Sequence, residues 1–133
     1  MFRQFALPAY RHLQELEGPV NYFHTCGVME PVVTDLLAAF PGIRQLDVSG
    51  WNDPEILDRV VDPSIGFSLN FINTFTLSGS PEEHRARIAG IAALRRRRRV
   101  SLCAQAIVQL HGSLEEDIAR MNHFIQLARE MLA

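Results

Sequence analysis

The chain lacks lysine entirely, contains only two cysteines and one tryptophan, and has no long run of apolar residues. Its thirteen basic residues, all arginine, nearly balance fifteen acidic residues, so the charge does not favour nucleic acid or an anionic membrane as a partner. No apolar segment reaches the roughly 20 residues of a membrane-spanning helix, and the N-terminus lacks the apolar core of a signal peptide. We therefore expect a cytoplasmic protein, in which the two cysteines are reduced, bound to metal or buried in the core, and not joined in a disulfide.

Proline, glycine and helix-capping residues divide the chain into an N-terminal helix followed by four βα units. The predicted helices cover residues 3–17, 31–40, 54–60, 81–96 and 114–131. The predicted strands cover residues 19–23, 43–48, 65–70 and 100–104, and residues 71–80 are predicted to form a loop. At 133 residues the chain is long enough for one domain. Regular βα alternation predicts an α/β domain with parallel strands, either half of a TIM (β/α)8 barrel or a small open sheet.

The most informative pattern is His24-Thr25-Cys26-Gly27 together with the distant Cys103. If a strand ends near His24, side chains at positions i and i+2 point to the same face, so His24 and Cys26 converge. Cys103 lies in the last predicted strand, and the carboxyl ends of parallel strands are where α/β proteins build their sites. Two thiolates and an imidazole suit Zn²⁺ and leave its fourth position open for a substrate. The alternative is that both cysteines are ordinary core residues.

The same pattern resembles the zinc site of the methylcobalamin:coenzyme M (corrinoid-dependent) methyltransferases, in the uroporphyrinogen decarboxylase-like superfamily. Three further stretches resemble that family in the same order: Phe67–Asn70, Leu77–Glu83 and Ser113–Ile118. The resemblance covers nearly the whole chain but only the C-terminal half of the family's TIM barrel. The chain departs from the family pattern at Leu102, where glycine is usual, and at Leu114, where proline is typical.

The resemblance implies a zinc-dependent methyltransferase, or a fragment or subunit of one. His24, Cys26 and Cys103 would hold Zn²⁺, which lowers the pKa of a small thiol substrate. The resulting thiolate would accept a methyl group from a methylated corrinoid carried by a partner protein. Asp47, the candidate catalytic residue, has three possible roles: to orient His24, to be a fourth ligand, or to act as a base. It is also a candidate strand-end cap.

A half-barrel over residues 1–133 would leave two open sheet edges and an apolar inner face. These features predict pairing with a second copy or with a complementary half-barrel chain. Two other functions remain open. One is a non-catalytic half-barrel subunit or binding module, and the other is a metal-free relative of uroporphyrinogen decarboxylase.

The run Arg95–Arg99 ends a predicted helix, where cations complement the helix dipole. Nucleic-acid binding and docking of a partner protein are its alternative roles. His12, His84 and His123 fall on predicted helices with polar neighbours, so we expect them at the surface. His111 precedes Gly112 and is predicted to lie in a turn.

Overall fold

The computed structural model of the chain describes residues 1–71, 73–104 and 112–133, without the side chains of residues 73–75 and 104. Its helices are a π-helical segment, Phe2–Ala6, followed by α1 (Leu7–Glu17), α2 (Val33–Ala39), α3 (Pro54–Val60), α4 (Asn73–Ser78), α5 (Pro81–Arg95) and α6 (Leu114–Leu132). Its strands are β1 (Tyr22–His24), β2 (Gln45–Val48), β3 (Gly66–Phe71) and β4 (Val100–Ala104). The predicted α/β fold is confirmed. The prediction of a loop over residues 71–80 is wrong, because this stretch contains the end of β3 and helix α4.

The four strands form one parallel sheet in the order β1-β2-β3-β4. Each strand is therefore a neighbour of the next one in the chain, as right-handed βα crossovers produce when they all step in one direction. One row across the sheet pairs His24 with Asp47, Asp47 with Ser68, and Ser68 with Ser101. In the next row towards the carboxyl ends, Asn70 pairs with Cys103.

The two faces of the sheet differ in polarity because side chains alternate along each strand. One face contributes Leu46, Phe67 and Leu69 to a core in which they pack with helical residues such as Leu36 and Ile88. The other face carries mainly polar side chains from all four strands: Tyr22, His24, Gln45, Asp47, Ser68, Asn70, Ser101 and Cys103. The expectation of an apolar inner face is therefore wrong for the described residues, whose hydrophobic burial lies on the helical side of the sheet.

Polar caps fix where three helices begin. Asp53 accepts a hydrogen bond from the Glu55 amide at 2.8 Å at the start of α3. Ser80 accepts from the Glu83 amide, while the Glu83 carboxylate accepts from the Ser80 amide, which completes a capping box for α5. Ser113 similarly caps α6. Each of these caps satisfies amides that the helix itself leaves unpaired.

The run Arg95–Arg99 is not exposed along its whole length, because the Arg98 side chain is 0 % exposed. Its guanidinium donates to Asp58 Oδ1 at 2.6 Å and to the carbonyl oxygens of Val61 and Ile65 at 2.8 and 3.0 Å. It also lies 4.0 Å from the centre of the Phe67 ring. Arg98 thereby joins the end of α3 to the amino-terminal side of the sheet, and it is not available to bind a partner.

His84 is also buried, against the expectation of a surface residue, and its ring meets the Phe124 ring edge-on at 5.0 Å. His12 and His123 are exposed, as expected, and His111 lies outside the described residues. Within the described ranges, no helix combines the length and the apolar character needed to cross a membrane.

Candidate metal centre

The centre of the polar face is the carboxylate of Asp47 in β2. Its Oδ2 accepts from the Tyr22 hydroxyl at 2.8 Å and from His24 Nδ1 at 2.6 Å. Its Oδ1 accepts from the side-chain amide of Asn70 in β3. The Asp47 side chain is only 8 % exposed, whereas that of His24 is 51 % exposed. A nearly buried carboxylate therefore connects three adjacent strands and leaves one edge of the imidazole open to solvent.

This hydrogen bond determines the tautomer of His24. A carboxylate only accepts hydrogen bonds, so Nδ1 carries the proton and donates it to Asp47. The lone pair of a neutral imidazole is then on Nε2, and the Sγ atom of Cys26 lies 3.3 Å from that nitrogen. A histidine oriented by a carboxylate through one nitrogen, with the other nitrogen free to ligate, is the usual second-shell arrangement of protein zinc sites.

The turn after β1 is held by contacts to Gly27. The carbonyl of Gly27 accepts from the Ser49 hydroxyl at 2.9 Å and from the Asn52 side-chain amide at 3.0 Å. The Gly27 amide donates to Thr25 Oγ1 at 3.1 Å. Asn52 is buried and also accepts from the Met29 amide at 2.7 Å. These bonds fix the backbone that carries Cys26, although the side chain of Cys26 is itself exposed.

The spacing of His24 and Cys26 fits two positions of a tetrahedral zinc ion. With bonds of about 2.3 Å to sulfur and about 2.1 Å to nitrogen, Zn²⁺ holds such a pair of ligand atoms about 3.6 Å apart. The separation between Cys26 Sγ and His24 Nε2 is 3.3 Å. The observed separation is thus about 0.3 Å shorter than that between a sulfur and a nitrogen ligand of one zinc ion.

Cys103, the third predicted ligand, lies on the same face but two strands beyond Asp47. Its Sγ atom is 3.3 Å from the hydroxyl of Ser68, and it is exposed. Among the residues that the structure describes, no three His, Cys, Asp or Glu side chains lie close enough together to hold a metal. The described side chains place Cys26 against one ring nitrogen of His24 and Asp47 against the other, and they do not group Cys103 with these residues.

Tyr22 is a member of the site that sequence reasoning missed. Its partial burial, its hydrogen bond to Asp47, and the negative charges of Asp47 and Cys103 together raise the pKa of Tyr22 to about 12. The signal was present in the sequence, because Tyr22 precedes His24 by two positions in the same strand and so shares its face. Asn70 is another member, because it lies within β3 and its side-chain amide donates to the Asp47 carboxylate.

Comparison with known proteins finds no match among protein-family models, curated proteins or solved structures.

Proposed function

We propose that this chain binds Zn²⁺ through His24, Cys26 and Cys103, and that it uses the ion to transfer a methyl group from a methylated corrinoid protein to a thiol. The observation that carries the proposal is the linear arrangement of Cys26, His24 and Asp47. The Sγ atom of Cys26 lies 3.3 Å from Nε2 of His24, and the Asp47 carboxylate accepts from the other ring nitrogen. The position of this group at the carboxyl ends of parallel strands also supports it. The half-barrel interpretation belongs to this proposal, supported by the sequential strand order.

Zinc supplies one chemical property, a lower pKa for a thiol bound at its open position, so that a thiolate is available at neutral pH. The chain supplies the rest. His24 and Cys26 provide a nitrogen and a sulfur donor, the combination that favours Zn²⁺ over Mg²⁺ or Ca²⁺. Asp47 orients His24, which is the first of the three roles open to it. Tyr22 and Asn70 hold Asp47 in place with hydrogen bonds to its two oxygens.

The proposal is tested first by the zinc content of the purified protein. We expect about one zinc per chain in the wild type and little in Cys26→Ser, Cys103→Ser and His24→Ala. The matched control is His12→Ala, which removes an exposed histidine far from the polar face and should keep its zinc. Substitution of Co²⁺ provides an independent measure, because thiolate ligands give the cobalt protein an intense near-ultraviolet absorption that each cysteine variant should weaken.

The transfer reaction is tested with methylcobalamin as the methyl donor and 2-mercaptoethanol as the acceptor, in the zinc-loaded protein. Methylation of the thiol that requires Cys26 supports the assigned function. Full zinc loading with no methylation above the Cys26→Ser background contradicts the reaction while retaining the metal site. Absence of zinc from the wild type, even after refolding with the metal, contradicts both.

A further inference from the structure

We propose that each zinc site is completed by a second copy of this chain, whose Cys103 lies next to His24 and Cys26 across a junction between β1 and β4. This inference rests on the proposed function, since it names the source of the third ligand.

Within one chain, the predicted ligands lie on opposite edges of the described sheet. His24 is the last residue of β1, and Cys103 lies in β4, at the opposite edge of the sheet. Three interstrand spacings, about 14 Å measured along the sheet, separate these strands. The Sγ atom of Cys103 contacts the hydroxyl of Ser68 in the neighbouring strand. Among the described residues, Cys103 therefore does not form a three-ligand group with His24 and Cys26.

Pairing of two copies removes this separation. In the described residues β1 and β4 are the two edge strands, and each has a neighbour on one side only. A twofold axis parallel to the strands would create two equivalent junctions, each with β4 of one copy beside β1 of the other. The two four-stranded sheets would then form one set of eight parallel strands. Cys103 would then be on the strand adjacent to β1, one spacing of about 4.8 Å away. Because His24 and Cys103 both lie towards the carboxyl ends of their strands, they would meet at the same end of the joint sheet.

The β4 edge has an apolar groove beside it that a second copy would fill. The groove has a volume of about 610 Å³, and its apolar lining includes Leu102, Phe124, Ile125 and Leu132. Cys103 borders the same groove, so the predicted third ligand lies at the proposed junction. Arg95 and Arg129 also line the groove, and their guanidinium groups contribute positive charge to it.

The β1 edge presents a surface of matching character. Helix α1 packs over β1 through the edge-on contact of Tyr10 with Phe23, at 6.1 Å. The outer side of α1 exposes Leu13 and Leu16, which are 52 % and 68 % exposed, and Glu17 lies beside them on the same helical face. An apolar stripe flanked by an acidic side chain thus complements an apolar groove flanked by two arginines. This complementarity of charge and polarity identifies the occupant as a second copy.

The decisive experiment measures the zinc content of a mixed dimer, formed from two variants that each lack a different zinc ligand. Cys26→Ser and Cys103→Ser each remove one ligand, so neither homodimer should bind zinc. The two variants are produced together with different affinity tags, and the mixed species is isolated on both tags in succession. If Cys103 acts across the junction, one of the two sites in the mixed dimer has all three ligands, and half of the wild-type zinc content returns. If Cys103 acts within its own chain, neither site is complete and no zinc returns.

Zinc in the wild type with none in the mixed dimer overturns the junction site but leaves the proposed function intact. A wild-type protein that is monomeric by native mass spectrometry, yet holds zinc, also overturns it. Absence of zinc from the wild type overturns both proposals.

A surface variant provides a second test. Leu16→Arg should dissociate the dimer and lower its zinc content, while the far-ultraviolet circular dichroism stays unchanged because Leu16 is exposed. Val60→Arg is the matched control, since Val60 is an equally apolar exposed residue at the end of α3. A Leu16→Arg protein that remains dimeric, with the zinc content of the control, contradicts the proposed junction.

Discussion

The Nδ1 atom of His24 lies 2.6 Å from Oδ2 of Asp47, although 23 positions separate the two residues in the chain. The contact exists because β1 and β2 pair in parallel with His24 directly opposite Asp47. It fixes the imidazole and directs Nε2 towards Cys26. The hydrogen bond between His24 and Asp47 therefore determines whether His24 Nε2 is held beside Cys26 Sγ, as a metal bound by both atoms would require.

The first prediction concerns Asp47→Asn. An amide cannot reproduce the charge-assisted hydrogen bond to His24, so we expect zinc affinity to fall by about 10- to 100-fold, as for other second-shell partners of metal ligands. Titration with a competing chelator measures the change. Glu15→Gln, which neutralises an exposed acid on α1, is the control and should leave the affinity unaltered. Equal zinc affinity in Asp47→Asn and wild type would contradict the orienting role.

The second prediction concerns the pH dependence of Tyr22. Its pKa is about 12 in the folded chain, whereas an unperturbed tyrosine has a pKa of about 10. The unfolded chain therefore loses this proton first as the pH rises. The stabilisation is fully present below about pH 10 and is lost as the pH rises through about 12.

Between about pH 10 and about pH 12, we expect the urea midpoint of the wild type to fall more than the urea midpoint of Tyr22→Phe, which has no phenolic proton at position 22. Ultraviolet titration of the tyrosinate absorbance tests the same property directly. Ionisation of Tyr22 at the ordinary value for tyrosine, about 10, would exclude the hydrogen bond to Asp47.

The third prediction concerns the buried guanidinium of Arg98. Burial raises the pKa of Asp58, but hydrogen bonds from Arg97 and Arg98 outweigh this effect and hold that pKa below its ordinary value. Arg98→Ala would leave this carboxylate and the carbonyls of Val61 and Ile65 without their buried donor. We expect a loss of about 3–5 kcal/mol in the free energy of unfolding, measured by urea denaturation.

The neighbouring Arg99 provides the matched comparison, since its side chain is exposed. Arg99→Ala should change stability by no more than about 0.5 kcal/mol. Similar stabilities for the Arg98→Ala and Arg99→Ala proteins would contradict the burial of Arg98 and indicate that it is solvated like its neighbours in the run Arg95–Arg99.

The fourth prediction concerns the capping box of α5. Ser80→Ala removes the acceptor for the Glu83 amide, so we expect a loss of about 1 kcal/mol in stability. Ser78→Ala, at an exposed position at the end of α4, is the control and should have a smaller effect. If Ser80→Ala loses no more stability than Ser78→Ala, then the Ser80 cap does not contribute to the formation of α5.

Some elements were predictable because their signals are local. Caps at Asp53 and Ser80 and breaks at proline gave α3 and α5 nearly to the residue. Helix α4 was missed because its sequence, Asn-Thr-Phe-Thr-Leu-Ser, is poor in strong helix formers. It contacts α6, and Leu77 is 1 % exposed, so tertiary packing stabilises a segment with little intrinsic helical preference.

The burial of His84 was within reach of sequence reasoning. His84, Ile88 and Ile91 follow one another at helical spacing and are all buried on one face of α5. Helical spacing is therefore a better guide to the burial of His84 than the polarity of its neighbours in sequence.

By itself, the sequence determined the succession of the strands and of the helices other than α4, because caps act within one turn and apolar residues recur with the period of their element. The approach of Cys26 to His24 was predicted from local spacing, but it also depends on the turn after β1, which Ser49 and Asn52 hold through Gly27. Only the tertiary structure decided that Asp47 is the partner of His24, that Cys103 contacts Ser68, and that Arg98 is buried beneath α3. Each of these contacts joins residues more than 20 positions apart, so it depends on strand pairing and helix packing, which no local pattern encodes.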